Sequence, residues 1–208
     1  MKTATSMNIS LPKTFLLALL LLLAPTAKAA ETPSATVERL NAALLETMRQ
    51  AEELGFEGRY AKLEPVLTEV FDFPAMARIT LGNQWSGISD AQQSAFTQAF
   101  ADYSVGVFAH RFDGFGGERF EVLGEQEARR GAVLVRNRIV KSDGEAVEIN
   151  YLTQPRDDGT WRIVDTILGG TASELAARRG EYSSILRKLG IDALIRTLKD
   201  KTAGFAAE

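Results

Sequence analysis

The chain holds one imidazole, His110, and no cysteine. A zinc site gathers three or four His, Cys, Asp or Glu ligands, so metal chemistry lacks its usual donors. A Ser-His-Asp triad through His110 is formally possible, but no Gly-x-Ser-x-Gly elbow accompanies it. His110 lies in the segment HRF near an expected helix end. There it reads as a partner for the helix dipole or for a surface carboxylate. Gly114, Gly116 and Gly117 in DGFGGE share only their composition with a phosphate loop. They fall between a helix and a strand, the reverse of the order in dinucleotide and P-loop motifs, and lack the loop lysine. Turn geometry accounts for them. Asp165 is the remaining chemical candidate. Alternation places it on one strand face with Trp161, Ile163 and Ile167. A carboxylate turned into an apolar interior has a raised pKa and can move protons. The plain alternatives pair it with Arg136, Arg138 or a helix N-terminus, or turn the Val164 and Leu168 face inward instead.

The elements that position these groups are legible from periodicity. Apolar residues at Val37, Leu40, Leu44, Met48, Ala51 and Leu54 follow helical spacing. Residues 31–36 before them read as a short linker, and Gly55 and Gly58 read as a break. A second stripe runs through Leu63, Val66, Leu67, Val70 and Phe71. The block VFDFPAMARITLGNQW, Val70 to Trp85, then concentrates large apolar side chains. Asp72 and Pro74 set up a helix start in it and Gly82 a stop. Ser89-Asp90-Ala91-Gln92 is a capping box. It opens a helix with Phe96, Phe100, Tyr103 and Val107 on one face, ending before Gly114. Composition alone reads this stripe of rings, with Phe71, Phe73, Met76, Trp85 and Phe108, as plain core.

The period then drops to two. Phe120 and Val122 alternate with charged residues; Val133, Val135, Asn137 and Ile139 share a face, as do Val147, Ile149 and Tyr151. Asp143-Gly144 and Asp158-Gly159 are turn signals between runs. Two helices close the chain, one through Leu175, Tyr182, Ile185, Leu186 and Leu189 to Gly190, the other through Ile191, Leu194, Ile195 and Leu198. Helices, a four-stranded antiparallel meander and helices again make one α+β domain with a twisted sheet.

Compartment comes from the N-terminus. Lys2 and Lys13 precede and flank an apolar run from Phe15 to Ala24, and Ala27-Lys28-Ala29 offers small residues for cleavage. That is the layout of a secretory signal peptide. The run is well short of the roughly 20 residues that span a bilayer. Cleavage near Ala29 or Ala30 makes residues 1–30 the signal and 31–208 the domain. The leader holds Lys2, Lys13 and Lys28 and no acid, so its removal takes the net charge from −3 to −6. An acidic chain is a poor ligand for nucleic acid, where phosphates must be neutralised. Without cysteine, an oxidising compartment adds no disulfide and packing must supply the stability.

Four segments together resemble one family. FDFPAMARITLGNQW, SDAQQSAFTQAFADY, TWRIVDTILGG and RRGEYSSILRKLG occur in the order and spacing of the MlaC family of periplasmic lipid-binding proteins, over roughly Val37 to Leu198. After Gly170 this chain reads GTASELAARR where typical members read GVSLV. SELAARRGEY is similar to the hopanoid-associated branch known as HpnM.

The resemblance implies an NTF2/cystatin-like sheet of about four strands, wrapped by helices around an apolar pocket. It implies a carrier with no cofactor. Such a carrier holds lipid tails, phospholipid or hopanoid, and moves them between an inner-membrane ABC transporter complex and an outer-membrane lipid-handling protein. The pocket candidates are then Phe71, Phe73, Met76, Leu81, Trp85, Phe96, Phe100, Tyr103 and Val107 from the helices, and Val135, Ile149, Tyr151, Ile163 and Ile167 from the sheet. The competing classes are a small periplasmic enzyme with Asp165 as general base, and an interaction module with a filled core.

Overall fold

Thr32 accepts a hydrogen bond from Ala35 N at 3.1 Å and starts α1 (Pro33–Arg49), with Pro33 in its first turn. Most of the expected linker is therefore helix. The cap and the proline nucleate a turn ahead of the apolar stripe. The computed structural model describes residues 31–207 together with Met1 and Thr3. The export signal expected over residues 1–30, those two apart, lies outside the described residues.

Gln50 alone separates α1 from α2 (Ala51–Val70). The break expected at Gly55 and Gly58 is a kink inside α2: Gly55 takes φ 58° and Gly58 stays helical. Glycine reaches that backbone region without a Cβ clash, so one residue bends the rod without ending it. Asp72 caps α3 (Phe73–Leu81) by accepting from Ala75 N at 3.0 Å. A 3-10 turn over Gly82–Gly87 leads to α4 (Asp90–Arg111). Ser89 Oγ accepts from Gln92 N at 3.3 Å, and Ser89 N donates to Gln92 Oε1 at 3.2 Å, completing the capping box.

The sheet is an antiparallel meander in sequence order: β1 (Arg119–Glu127), β2 (Val133–Val140), β3 (Ala146–Pro155), β4 (Trp161–Leu168) and β5 (Ala172–Ser173). The fifth strand adds to the four expected. It is two residues long and runs directly into α5 (Glu174–Leu189), which α6 (Ile191–Gly204) follows. Both Asp-Gly pairs form hairpin turns, with Gly144 N donating to Lys141 O and Gly159 N to Arg156 O, each at 3.0 Å.

One register shift changes the reading of the sheet. Thr153 pairs with Ile163, but Leu152 pairs with Asp165, so Val164 is an extra residue in β4. A bulge of this kind reverses which side chains face which side beyond it. Trp161, Ile163, Asp165 and Ile167 therefore do not share a face. Ile163 is fully buried toward the helices with Val135, Asn137 and Tyr151. Past the bulge, Thr166 and Leu168 continue that face, opposite Tyr151 and Ile149.

The helices cover this inner face. The turn joining α2 to α3 is tied to β4, where Phe71 pairs with Ile163 and Asp72 N donates to Ile163 O at 2.9 Å. Asp72 also forms an ion pair with Arg156. Leu40, Leu44, Leu63, Leu67, Val70, Leu194 and Leu198 are buried in the same core as Phe71. Each such side chain contributes about 1.5–3 kcal/mol by leaving water.

Candidate functional site

A chain of aromatic rings runs between helices and sheet. Phe71 and Phe73 stack at 5.6 Å, Phe71 meets Phe108 at 5.5 Å, and Phe108 stacks on Phe112 at 5.9 Å. Phe71 also meets Tyr151 edge-on at 6.4 Å. The FDF spacing produces this arrangement directly. Asp72 caps α3, and the phenylalanines on either side of it pack inward together.

These rings border a cavity of about 110 Å³. Its helical wall is Phe71, Phe73 and Met76 from the α2–α3 turn and α3, with Val107, Phe108 and Phe112 on or just beyond α4. Its sheet wall is Ile149, Tyr151, Thr166 and Leu168. Leu175 from α5 closes one side. The charged and hydroxyl groups of the lining are Arg111, Ser104, Glu174, Arg178, Thr166 and Tyr151. Tyr151 is fully buried, and among the described residues its hydroxyl has no hydrogen-bond partner. Burial pushes its pKa well above the usual phenol range.

Several expected pocket residues lie elsewhere. Phe96 and Phe100 are fully buried and pack on Tyr182, with ring centroids 6.1 and 6.5 Å away. Tyr103 stacks on Phe205 at 5.9 Å. Leu81 and Val135 belong to the packed core. Trp85 borders a separate open cleft with Asp72, Arg78 and Arg156. Ile163 is core, tied to the α2–α3 turn on the near side of the bulge. Ile167 lies past the bulge and pairs with Asn150 and Ser173. Strict alternation assigned Ile167 the place that Thr166 and Leu168 occupy. Leu175 joins the site from the apolar stripe of α5, and Phe112 and Arg178 join it with no local periodicity to mark them.

The chemical candidates settle into structural surroundings. His110 stacks on Phe205 at 4.9 Å. Gly116 N donates to Glu118 Oε2 at 2.6 Å in the α4–β1 turn. Asp165 is absent from the cavity lining. It ties β4 to the start of α5, accepting from Thr166 N at 2.8 Å, Ser173 Oγ at 2.5 Å and Leu175 N at 3.1 Å. Burial raises its pKa above the ordinary carboxylate range, against those three donors, which favour the ionised form.

The folded protein thus holds the Asp165 proton more tightly than the unfolded chain does. Stability from this group is greatest below the ordinary carboxylate range. It declines as pH rises through that range toward the raised folded value. Asp165→Asn is expected to flatten this decline and to change stability at neutral pH by less than about 1 kcal/mol, since the amide oxygen still accepts from Thr166 and Leu175. Asp165→Ala strands those donors and costs about 1–3 kcal/mol. Urea denaturation across the acid range checks both. A steeper pH slope in the asparagine variant than in the parent defeats the assignment.

Among the described residues, no three His, Cys, Asp or Glu side chains are grouped to hold a metal. No helix among them is long and apolar enough to cross a membrane. What the site offers is an apolar interior with charge confined to a few of its lining residues.

Residues 38–200 match the family model described as MlaC protein. No curated protein matches the chain in sequence. Among solved structures, a phospholipid-binding protein from Ralstonia solanacearum, determined in complex with a phospholipid, is similar with a TM-score of 0.72 at 18% identity. The likeness covers 83% of this chain and 97% of that one. It extends the agreement to the whole fold, helices and meander together.

Proposed function

The chain belongs to the MlaC protein family, and on that premise we propose that it is a lipid carrier whose cavity holds acyl or polycyclic tails. The observation that supports this reading most is the ring-walled cavity between α4 and the inner face of β3–β4. Burying a methylene is worth about 0.8 kcal/mol, so drawing two long acyl chains into water costs on the order of 20 kcal/mol. Apolar walls remove most of that barrier, and no covalent step is needed.

The cavity volume of about 110 Å³ is below the roughly 300–1,000 Å³ of ordinary ligand pockets. Loading a two-tailed lipid therefore expands it. The backbone of α4 neighbours α2, α3 and α6 more than the strands. Rings rather than hydrogen bonds fill the gap between α4 and β3–β4, so separating these layers costs apolar contacts but no sheet pairing.

On this reading residues 1–30 are a cleaved export signal and the domain works in the periplasm. It exchanges lipid with an inner-membrane ABC transporter complex and an outer-membrane lipid-handling protein. Both phospholipid and hopanoid are compatible with the walls alone. The SELAARRGEY segment that resembles the hopanoid-associated branch includes the start of α5, where Glu174, Leu175 and Arg178 border the cavity. Engagement of Asp165 with Ser173 and Leu175 at the start of α5 favours a carrier over an enzyme with that residue as base.

Native mass spectrometry of the protein purified from its own periplasm is the test. A one-to-one adduct with the mass of a membrane lipid is expected. A protein that stays unloaded after incubation with lipid vesicles refutes the carrier reading.

A further inference from the structure

We propose that the Tyr151 hydroxyl is a hydrogen-bond subsite for a carbonyl or hydroxyl oxygen borne by the part of the lipid that enters the cavity. The inference rests on the carrier reading and adds a chemical requirement on the buried part of the ligand.

Tyr151 stands on the inner face of β3, opposite Val135 on β2 and Thr166 on β4. Its side chain is fully buried, with the Phe71 ring edge-on at 6.4 Å. Of the buried side-chain polar groups left unpaired among the described residues, only this hydroxyl belongs to a residue bordering the cavity. The other hydroxyls of the lining do not meet it. Ser104 Oγ donates to Phe100 O at 2.7 Å and accepts from Arg178 Nη1 at 2.8 Å. Thr166 is paired with Tyr151 in the register of β3 and β4, yet its hydroxyl forms no bond to the phenol.

A buried hydroxyl without a partner costs folding free energy that a phenylalanine in the same place does not. The ring alone is enough to wall an apolar cavity, as Phe71, Phe73, Phe108 and Phe112 do. Burial holds the phenol protonated at neutral pH, so it presents an O–H donor. A two-tailed lipid widens the cavity, and the walls change neighbours as it enters. The hydroxyl then finds its acceptor on the ligand. Methylenes offer none. An ester carbonyl at the head of a chain, or a hydroxyl along it, projects an oxygen sideways from the chain toward the wall. Tyr151 thus costs the empty protein stability and returns it as selectivity in the loaded one.

The test loads the full domain from vesicles of three phosphatidylglycerols of equal chain length. One is the dioleoyl ester, one its di-O-oleyl ether, which lacks the carbonyls, and one the diricinoleoyl ester, which adds a hydroxyl to each chain. Bound lipid is quantified after separation. The parent is expected to load an oxygen-bearing lipid about three- to tenfold better than the counterpart lacking that oxygen, the worth of one buried hydrogen bond. Ester over ether assigns the chain-head carbonyl as the source, and ricinoleoyl over oleoyl assigns a chain hydroxyl. Tyr151→Phe keeps the ring and is expected to abolish the ratio while loading the ether lipid as the parent does. Its urea midpoint without lipid is expected at or above that of the parent.

A ratio that survives Tyr151→Phe overturns the proposal, since the oxygen is then read elsewhere. A parallel fall of all three lipids in the variant overturns it too, making the hydroxyl part of the shape of the wall. A lower urea midpoint overturns it by showing the hydroxyl already paired in the empty protein. Equal loading of all three lipids by the parent overturns it and leaves the carrier reading intact. Failure of the parent to load any of them refutes the carrier reading, and the subsite with it.

Discussion

Val107→Trp is expected to abolish lipid loading while leaving the domain folded. Val107 lies on α4 and lines the cavity opposite the sheet wall of Ile149, Tyr151 and Leu168. It is only partly buried, so an indole there grows into the void rather than into packed side chains. Overpacking a filled core costs about 1–3 kcal/mol, and a pre-existing cavity of about 110 Å³ absorbs much of that. The ring then occupies volume that the first methylenes of a tail must enter. Bound lipid measured after vesicle incubation is expected to fall more than about tenfold, which corresponds to 1.4 kcal/mol or more of lost binding. The thermal midpoint stays near that of the parent. Val107→Ala is the control and keeps its load. Undiminished uptake by the tryptophan variant places the lipid somewhere other than this cavity.

The second large effect is on stability. Phe71 is 3% exposed and touches both the helices and the sheet. It stacks on Phe73, meets Phe108 and Tyr151, and pairs its backbone with Ile163. Phe71→Ala removes the ring and leaves a larger void, for an expected loss of about 3–5 kcal/mol. That is a large share of the 5–15 kcal/mol that holds a typical domain. Because Phe71 also lines the cavity, lipid should return part of the loss. A ligand present at 100 times its dissociation constant stabilises by about 2.7 kcal/mol. Urea denaturation of lipid-free and lipid-loaded protein measures both terms. A cost under about 1 kcal/mol, or no protection by lipid in the parent, contradicts this placement of the ring.

Local elements of this chain are specified by contacts between near neighbours. Ser89-Gln92, Asp72 and both Asp-Gly turns act through hydrogen bonds closed within a few residues. The residue types therefore carry the signal wherever they occur. The same locality made Phe71, Phe73 and Met76 recognisable as an inward cluster before any fold was known. Phe96 and Phe100 have the same spacing and the same chemistry, yet Tyr182 fills the space beside them. A ring against a void and a ring against another ring look identical in sequence. Only the position of α5 separates the two cases.

The sequence by itself determined the family, the α+β order of elements, the caps and turns, and the concentration of rings around FDF. Each of these rests on periodicity or on contacts between near neighbours, which the chain carries with it. Tertiary structure decided which rings border empty space. It also decided that Leu168 rather than Ile167 faces the cavity, and that Arg178 stands beside it, bonded to Ser104. The reason is the same in each case. The bulge at Val164 is set by pairing with β3, and Arg178 reaches Ser104 across 74 positions of sequence. A bulge shifts the alternation without changing composition, and an ion's partner or lack of one depends on groups far away along the chain.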